Sequence, residues 1–184
     1  MIFRLTSSPE FHGELPRVLA SLRGAGLAAE VAAPGNGDGQ RRAADLTVMP
    51  YPRRGEGGLP TTLLRRDEPG DVLLARGPVA ATLRTLPAGT PGGVAGARRK
   101  AFLRAPRPDL EVVARENGQT PTEAFATGRV DAAVTGAAEA RRAELEEHVA
   151  EFQDPKAWLP GPQQGAVTVA SANGAGDAVH EALE

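Results

Sequence analysis

Hydrophobic and polar positions along the 184 residues follow two kinds of pattern. Short apolar runs, such as residues 2–6 and 46–49, have the length of buried strands and are flanked by polar or turn-forming residues. A longer stretch, residues 15–22, repeats apolar positions near the 3.6-residue period of a helix, which Gly24 and Gly26 end. The pattern therefore predicts an α/β chain.

Further elements follow from the same periodicities. The predicted strands are residues 2–6, 27–33, 46–49, 61–65, 72–75, 110–113, 131–134 and 166–170. The predicted helices include residues 97–104, 122–127 and 177–183, and the strongly charged stretch 137–152 is predicted to be largely helical. Strands that alternate with helices of about ten residues imply mainly parallel sheets.

Charge and hydropathy exclude several classes of partner. The 21 basic and 23 acidic residues give a net charge of −2, so nucleic acid is not expected as a partner. No stretch approaches the ~20 apolar residues of a membrane span, and the first residues lack the basic and apolar regions of a signal peptide. We therefore expect a soluble, cytoplasmic protein without a membrane partner.

Cysteine is absent from the sequence, which excludes disulfides, thiolate metal sites and thioether-linked cofactors. The three histidines, His12, His148 and His180, lie far apart and show no metal-ligand spacing, so no metal site is expected. Apart from Lys100 and Lys156, all basic residues are arginines. The planar arginine fork can bind a carboxylate with two hydrogen bonds, which makes arginine clusters candidate anion sites.

Three segments of the chain resemble one known family. They are RRKAFLRAPRPDLEV at residues 98–112, LPTTLLRRDEPGDVLLARG at 59–77 and LPGPQQGAV at 159–167. These segments are similar to porphobilinogen deaminase, also called hydroxymethylbilane synthase, which joins porphobilinogen molecules into a linear tetrapyrrole. The resemblance implies a two-lobed fold like that of type II periplasmic binding proteins, with a double crossover hinge. The lobes would be residues 1–77 plus 163–184 and residues 78–162.

The resemblance also implies a site for carboxylates. The family binds pyrroles that carry acetate and propionate groups, and it does so in a cleft lined by arginines. The residues at matching positions are Arg98, Arg99, Arg115, Asn117 and Arg142, with Arg141 as an alternative to Arg142. The expected partner is therefore a small anionic ligand such as a pyrrole or tetrapyrrole carboxylate. The alternative is that these arginines are ordinary surface residues of an arginine-rich protein.

The sequence departs from the family at the catalytic position. Arg53 stands where the family has the aspartate that stabilises positive charge on the pyrrole and handles protons. Arginine cannot accept a proton, so we expect no catalytic residue in this chain. The third family domain, whose cysteine tethers the dipyrromethane primer, is also expected to be absent. The dipyrromethane cofactor is therefore not expected to be attached covalently.

Three functions follow from these expectations. The favoured one is non-catalytic binding of a tetrapyrrole precursor or small polycarboxylate in an arginine-lined cleft between the lobes. The second is a catalytic component of hydroxymethylbilane synthase whose cofactor is carried by a separate chain. The third is a relict scaffold for protein–protein contact.

Purified protein incubated with porphobilinogen is expected to form no hydroxymethylbilane. A general base contributes ~10²–10⁴-fold to such a reaction, and without a tethered primer the growing chain has no acceptor. Formation of uroporphyrin from the product is the measurement, and heat-killed protein is the control. Turnover above that control would contradict the non-catalytic interpretation.

Overall fold

The computed structural model describes residues 2–7, 13–32, 45–50, 61–77, 81–113, 119–171 and 176–183. The chain divides into two compact units. One unit combines Met1–Asp67 with Gly165–Glu184, and the other is the continuous segment Glu68–Gln164. Among the helices of the described residues, none has the length and apolar character needed to cross a membrane.

The described residues form strands and helices in alternation. The strands are β1 (Phe3–Ser7), β2 (Ala29–Val31), β3 (Leu46–Pro50), β4 (Thr61–Leu63), β5 (Asp71–Ala75), β6 (Pro91–Val94), β7 (Glu111–Val113), β8 (Ala132–Gly136), β9 (Val149–Phe152) and β10 (Val167–Ser171). The helices are α1 (Leu15–Gly24), α2 (Ala97–Arg104), α3 (Pro121–Ala126), α4 (Ala137–Arg142) and α5 (Gly176–Leu183), with a short 3₁₀ helix at Glu146–His148.

The first unit is built on a five-stranded sheet of order β2-β1-β3-β10-β4. Strand β1 is parallel to β2 and β3, whereas β10 is antiparallel to β3 and β4. Leu15, Val18 and Leu22 recur on one face of α1 and pack with Val179 of α5 against apolar residues of β1, β3 and β10. Pro16 lies in the first turn of α1, where a missing N–H breaks no helical hydrogen bond.

The second unit is built on a five-stranded sheet of order β7-β6-β8-β5-β9. Strand β6 is parallel to β7 and β8, whereas β5 is antiparallel to β8 and β9. Every residue of β5 and β8 is buried, because successive side chains point to opposite faces and both faces are covered. Leu73 and Val134 belong to one apolar cluster, and Leu74 and Ala133 belong to the other.

The two sheets share the same strand order. In each sheet, the fourth strand of that order is the first strand after the chain crosses from the other unit. This strand is β5, after the boundary at Asp67, and β10, after the boundary at Gln164. Each of these strands is antiparallel to both neighbours, so it needs no crossover helix of the kind that joins parallel strands. The sheets are therefore mixed, which corrects the prediction of mainly parallel sheets.

The unit boundaries differ from the predicted ones. The first boundary follows Asp67 instead of residue 77, because β5 pairs with β8 and β9 in the second sheet. The second boundary follows Gln164 instead of residue 162. The return of the predicted strand 166–170 to the first sheet is confirmed, since β10 pairs there with β3 and β4.

The prediction of a largely helical stretch at 137–152 was wrong over its second half. Helix α4 ends at Arg142, and Glu144 has a φ of 56°, a left-handed conformation that stops a helix. Val149–Phe152 then forms β9, which pairs with β5. Pairing with a neighbouring strand thus outweighs the helical spacing of charges in this stretch.

Candidate functional site

The predicted arginine pair lies on the first turn of α2. Gly96, with a φ of 80°, precedes this helix and has no side chain to cap it. Arg98 and Arg99 follow Ala97 at the helix start, and both side chains are only partly exposed. The guanidinium of Arg98 also lies 5.9 Å from the centre of the Phe102 ring. The short turn from β6 into α2 therefore places two cationic groups side by side.

A buried carboxylate holds both arginines. Asp71, the first residue of β5, has a side chain that is 0% exposed. Arg99 Nε donates to Asp71 Oδ1 over 2.9 Å, and Gln164 Nε2 donates to the same oxygen over 2.8 Å. Arg98 Nη2 lies 2.7 Å from Oδ2 as an ion pair outside hydrogen-bond geometry. The charge of Asp71 is thus compensated by two guanidinium groups and one amide.

Gln164 joins Asp71 to the segment 159–164. Its Nε2 also donates to Pro69 O over 2.6 Å, and its Oε1 accepts from Arg98 Nη2 over 2.9 Å and from Gly161 N over 3.1 Å. Arg98 Nη1 donates to Leu159 O over 2.8 Å. The residues of the LPGPQQG segment therefore wrap around the Arg98 side chain with both backbone and side-chain acceptors.

Arg99 makes a second ion pair on its other side. Its Nη1 lies 3.2 Å from Glu139 Oε2, which also accepts from Thr135 Oγ1 over 2.6 Å and from Gly136 N over 2.9 Å. A Cβ atom at Gly136 would lie 3.2 Å from Arg99 Nη2, so glycine permits this close approach. Burial raises the pKa of the Glu139 carboxyl, but the charge of Arg99 and these hydrogen bonds lower it by more, so the pKa lies below its usual range.

The other predicted site residues have different outcomes. Arg142, in the last turn of α4, is close enough for its charge to help lower the pKa of Glu139. Arg53, Arg115 and Asn117 lie outside the described residues. The part of the chain that the structure describes contains no cluster of three or more His, Cys, Asp or Glu side chains that could hold a metal ion.

Three residues of the site were not predicted from the sequence, namely Asp71, Gln164 and Glu139. Asp71 and Gln164 both lie inside segments that carry the family resemblance, which was the available signal. Glu139 is half-exposed near the start of α4, and its carboxylate accepts from the backbone N–H of Gly136, the residue that precedes the helix. Its proximity to Arg99 depends on the parallel pairing of β6 with β8, the strands that precede α2 and α4, which no local pattern encodes.

The RPDLEV part of the first motif has a structural role. Arg107 Nη1 donates to Leu83 O over 2.5 Å, and Arg107 Nη2 donates to Leu86 O over 2.8 Å. The same guanidinium pairs with Asp109 over 2.7 Å and thereby lowers the pKa of that carboxyl. These bonds fasten the turn at residues 83–86 to the connection between α2 and β7.

Replacing Asp71 by asparagine is expected to lower the free energy of unfolding by about 3 kcal/mol or more. The change removes the buried charge that compensates Arg98 and Arg99, and breaking a buried ion pair typically costs about 3–5 kcal/mol. Urea denaturation measures the effect. Asp131→Asn, at an exposed position in the same unit, is the matched control and should be nearly neutral. Equal stability of the two variants would refute the importance of this ion pair.

Glu139 is expected to make stability depend on pH in the acid range. Because its pKa is lowered in the folded state, its contribution is present above the ordinary carboxyl pKa of about 4.3. That contribution is lost as the pH falls through the folded pKa. Glu139→Gln should therefore differ from the unmodified protein at neutral pH and converge with it in acid. The exposed Glu111→Gln is the control, and a pH-independent difference for Glu139→Gln would contradict this view.

Solved structures with low sequence identity share the fold of this chain. A nutrient binding protein from Burkholderia cenocepacia bound to methionine superimposes with a TM-score of 0.62 at 14% identity, covering 99% of this chain and 90% of that one. A periplasmic substrate-binding protein of an ABC transporter from Coxiella burnetii gives a TM-score of 0.61 at 13% identity, covering 98% and 90%. These likenesses and the two mixed sheets identify the type II periplasmic-binding-protein fold.

Sequence comparison gives the family. Porphobilinogen deaminase from Xanthomonas campestris pv. campestris is 41% identical over 108 residues, 58% of this chain and 35% of the relative. The enzyme of the same name from Deinococcus deserti is 39% identical over 111 residues, 60% of this chain and 35% of the relative. The alignments thus span about a third of these relatives. A family model described as "Porphobilinogen deaminase, dipyromethane cofactor binding domain" matches residues 51–180. Because this match covers more than half of the chain, the chain belongs to the porphobilinogen deaminase family.

Proposed function

We propose that this chain is a non-catalytic member of the family that binds a tetrapyrrole precursor or another small polycarboxylate. The binding groups would be the guanidiniums of Arg98 and Arg99, together with Arg115, Asn117 and Arg142. The observation that carries the proposal is the fixed arginine pair at the start of α2, held by Asp71 while Arg98 stays 28% exposed.

The chemistry of the pair supports a carboxylate ligand. A guanidinium keeps its charge at all physiological pH values and presents five N–H donors in one plane. The contacts of Arg98 with Leu159, Gln164 and Asp71 involve at most three of these donors. The remaining donors are already oriented, so a ligand carboxylate would not need to order a flexible side chain.

Local charge limits the affinity of such a site. The two guanidiniums of Arg98 and Arg99 are balanced by the carboxylates of Asp71 and Glu139. Each additional exposed pair contributes about 0.2–1 kcal/mol, so three or four pairs at the upper end correspond to a Kd of about 1–6 mM. The interaction should weaken with ionic strength, because the screening length is only about 10 Å in 0.1 M salt.

The dipyrromethane for which the matched family model is named fits this site only in part. Its acetate and propionate groups suit arginine donors such as Arg98. A thioether link needs a cysteine, and these 184 residues contain none. We therefore propose a ligand that is held without a covalent bond.

We propose that the chain is not catalytic because Arg53 stands at the position of the family's aspartate. At the position that matches the family's proton-handling aspartate, an arginine cannot act as a base and would repel a cationic pyrrole intermediate. The relatives with the deaminase name are matched over only 35% of their length, so their activity is not transferred to this chain.

One observation favours a second candidate, a scaffold that contacts other proteins and binds no small anion. Arg98 and Arg99 already have carboxylate partners inside the second unit, Asp71 and Glu139. In this alternative the arginine pair only stabilises the fold, by compensating the buried carboxylate of Asp71.

Calorimetry with porphobilinogen and with citrate distinguishes the two candidates. Binding by the unmodified protein at low salt, reduced at high salt, is expected if the site is functional. The double variant Arg98→Ala/Arg115→Ala should abolish this binding, since each substitution removes a guanidinium that the family resemblance places in the binding site. Arg104→Ala is the matched control, because Arg104 is exposed in the last turn of the same helix. If neither compound binds at low salt, the anion-binding proposal is rejected and the scaffold candidate is favoured.

A further inference from the structure

A cavity at the far end of β5 from Asp71 combines two nitrogen-bearing side chains. Its volume is about 260 Å³, and its polar lining residues are Arg76, Glu147 and His148. Ala75 and Val149, at the ends of β5 and β9, contribute to the wall. We propose that this cavity binds a small oxoanion of the size of inorganic phosphate through Arg76 and His148.

One buried aromatic ring positions both groups. The guanidinium carbon of Arg76 lies 4.7 Å from the centre of the Phe125 ring, and Arg76 Nη2 donates to the Phe125 carbonyl. The His148 ring meets the same Phe125 ring edge-on, with centres 5.3 Å apart. Phe125 is 0% exposed, so it is a rigid platform. The two side chains are therefore held before a ligand arrives, which reduces the entropy lost on binding.

The charges of the lining select an anion. Arg76 is permanently cationic, and its bond to the Phe125 carbonyl uses one of five N–H donors. His148 adds a second N–H donor. The opposing charge is Glu147, whose side chain is 82% exposed and whose Oε1 lies 3.7 Å from His148 Nε2. The lining thus offers one permanent cation and one ring donor, opposed by one largely exposed carboxylate.

The size of the cavity selects a small ligand. Pockets for drug-sized molecules have volumes of about 300–1,000 Å³, so this one suits a phosphate-sized ion better than a tetrapyrrole. The cavity is also separate from the arginine pair. Arg76 follows the last residue of β5 and Asp71 is the first, and a strand rises about 3.4 Å per residue. The proposal therefore stands independently of the function proposed above.

Titration with inorganic phosphate, followed by the NMR signals of the His148 ring, tests this inference. A saturable shift in the millimolar range is expected at low ionic strength and should weaken as salt is added. Arg76→Gln should weaken binding about tenfold or more, since it removes a charged donor. Glu147→Gln should strengthen binding about 1.4- to 5-fold, since it removes an exposed opposing charge.

Weaker binding by Arg76→Gln together with stronger binding by Glu147→Gln cannot arise from loss of folding. If Arg76→Gln is unstable, the exposed Glu147→Gln variant still tests the inference. Arg84→Gln, at an exposed position in the same unit, is the control for general charge and should leave the shift unchanged. The inference is overturned if the His148 signals do not saturate, if Glu147→Gln has no effect, or if Arg84→Gln weakens binding as much as Arg76→Gln does.

Discussion

The carboxylate of Asp71 must be neutralised inside the protein, because water cannot reach it. Its side chain is fully buried at the start of a central strand, where an isolated charge would cost several kcal/mol. Compensation comes from Arg98 and Arg99 at the start of α2 and from the amide of Gln164. A charge that cannot be solvated thus fixes a strand, a helix and the closing segment of the second unit in one arrangement.

The same requirement gives the arginine motif two explanations. The family resemblance implies that Arg98 and Arg99 face an anionic ligand, and the structure shows them paired with carboxylates of their own chain. The explanations are compatible, because a guanidinium has five donors and Arg98 uses only some of them within the unit. The motif therefore indicates the family of the chain. Whether it binds an anion depends on the donors that remain unused and on the charge around them.

Local patterns predicted the elements whose burial is encoded locally. The apolar run at 46–49 became β3, and the amphipathic stretch at 15–22 became α1. Failures occurred where a distant partner decides the outcome. Val149–Phe152 is a strand because β5 lies beside it, although its charges have helical spacing. In the local sequence, Asp71 is an acidic residue after a turn, with no sign of its partners. Only the tertiary fold shows that its neighbours are two arginines and a glutamine.

The connectivity of the two sheets has a consequence for synthesis on the ribosome. All strands of the second sheet lie within one continuous segment, Glu68–Gln164, and can pair as soon as that segment has emerged. The first sheet is different, because β10 lies between β3 and β4 and is made about a hundred residues after β4. Until Val167–Ser171 has emerged, the edges of β3 and β4 that β10 will cover lack their partner. The N-terminal unit, although translated first, is thus the last to complete its sheet and the more exposed to mispairing or chaperone capture during elongation.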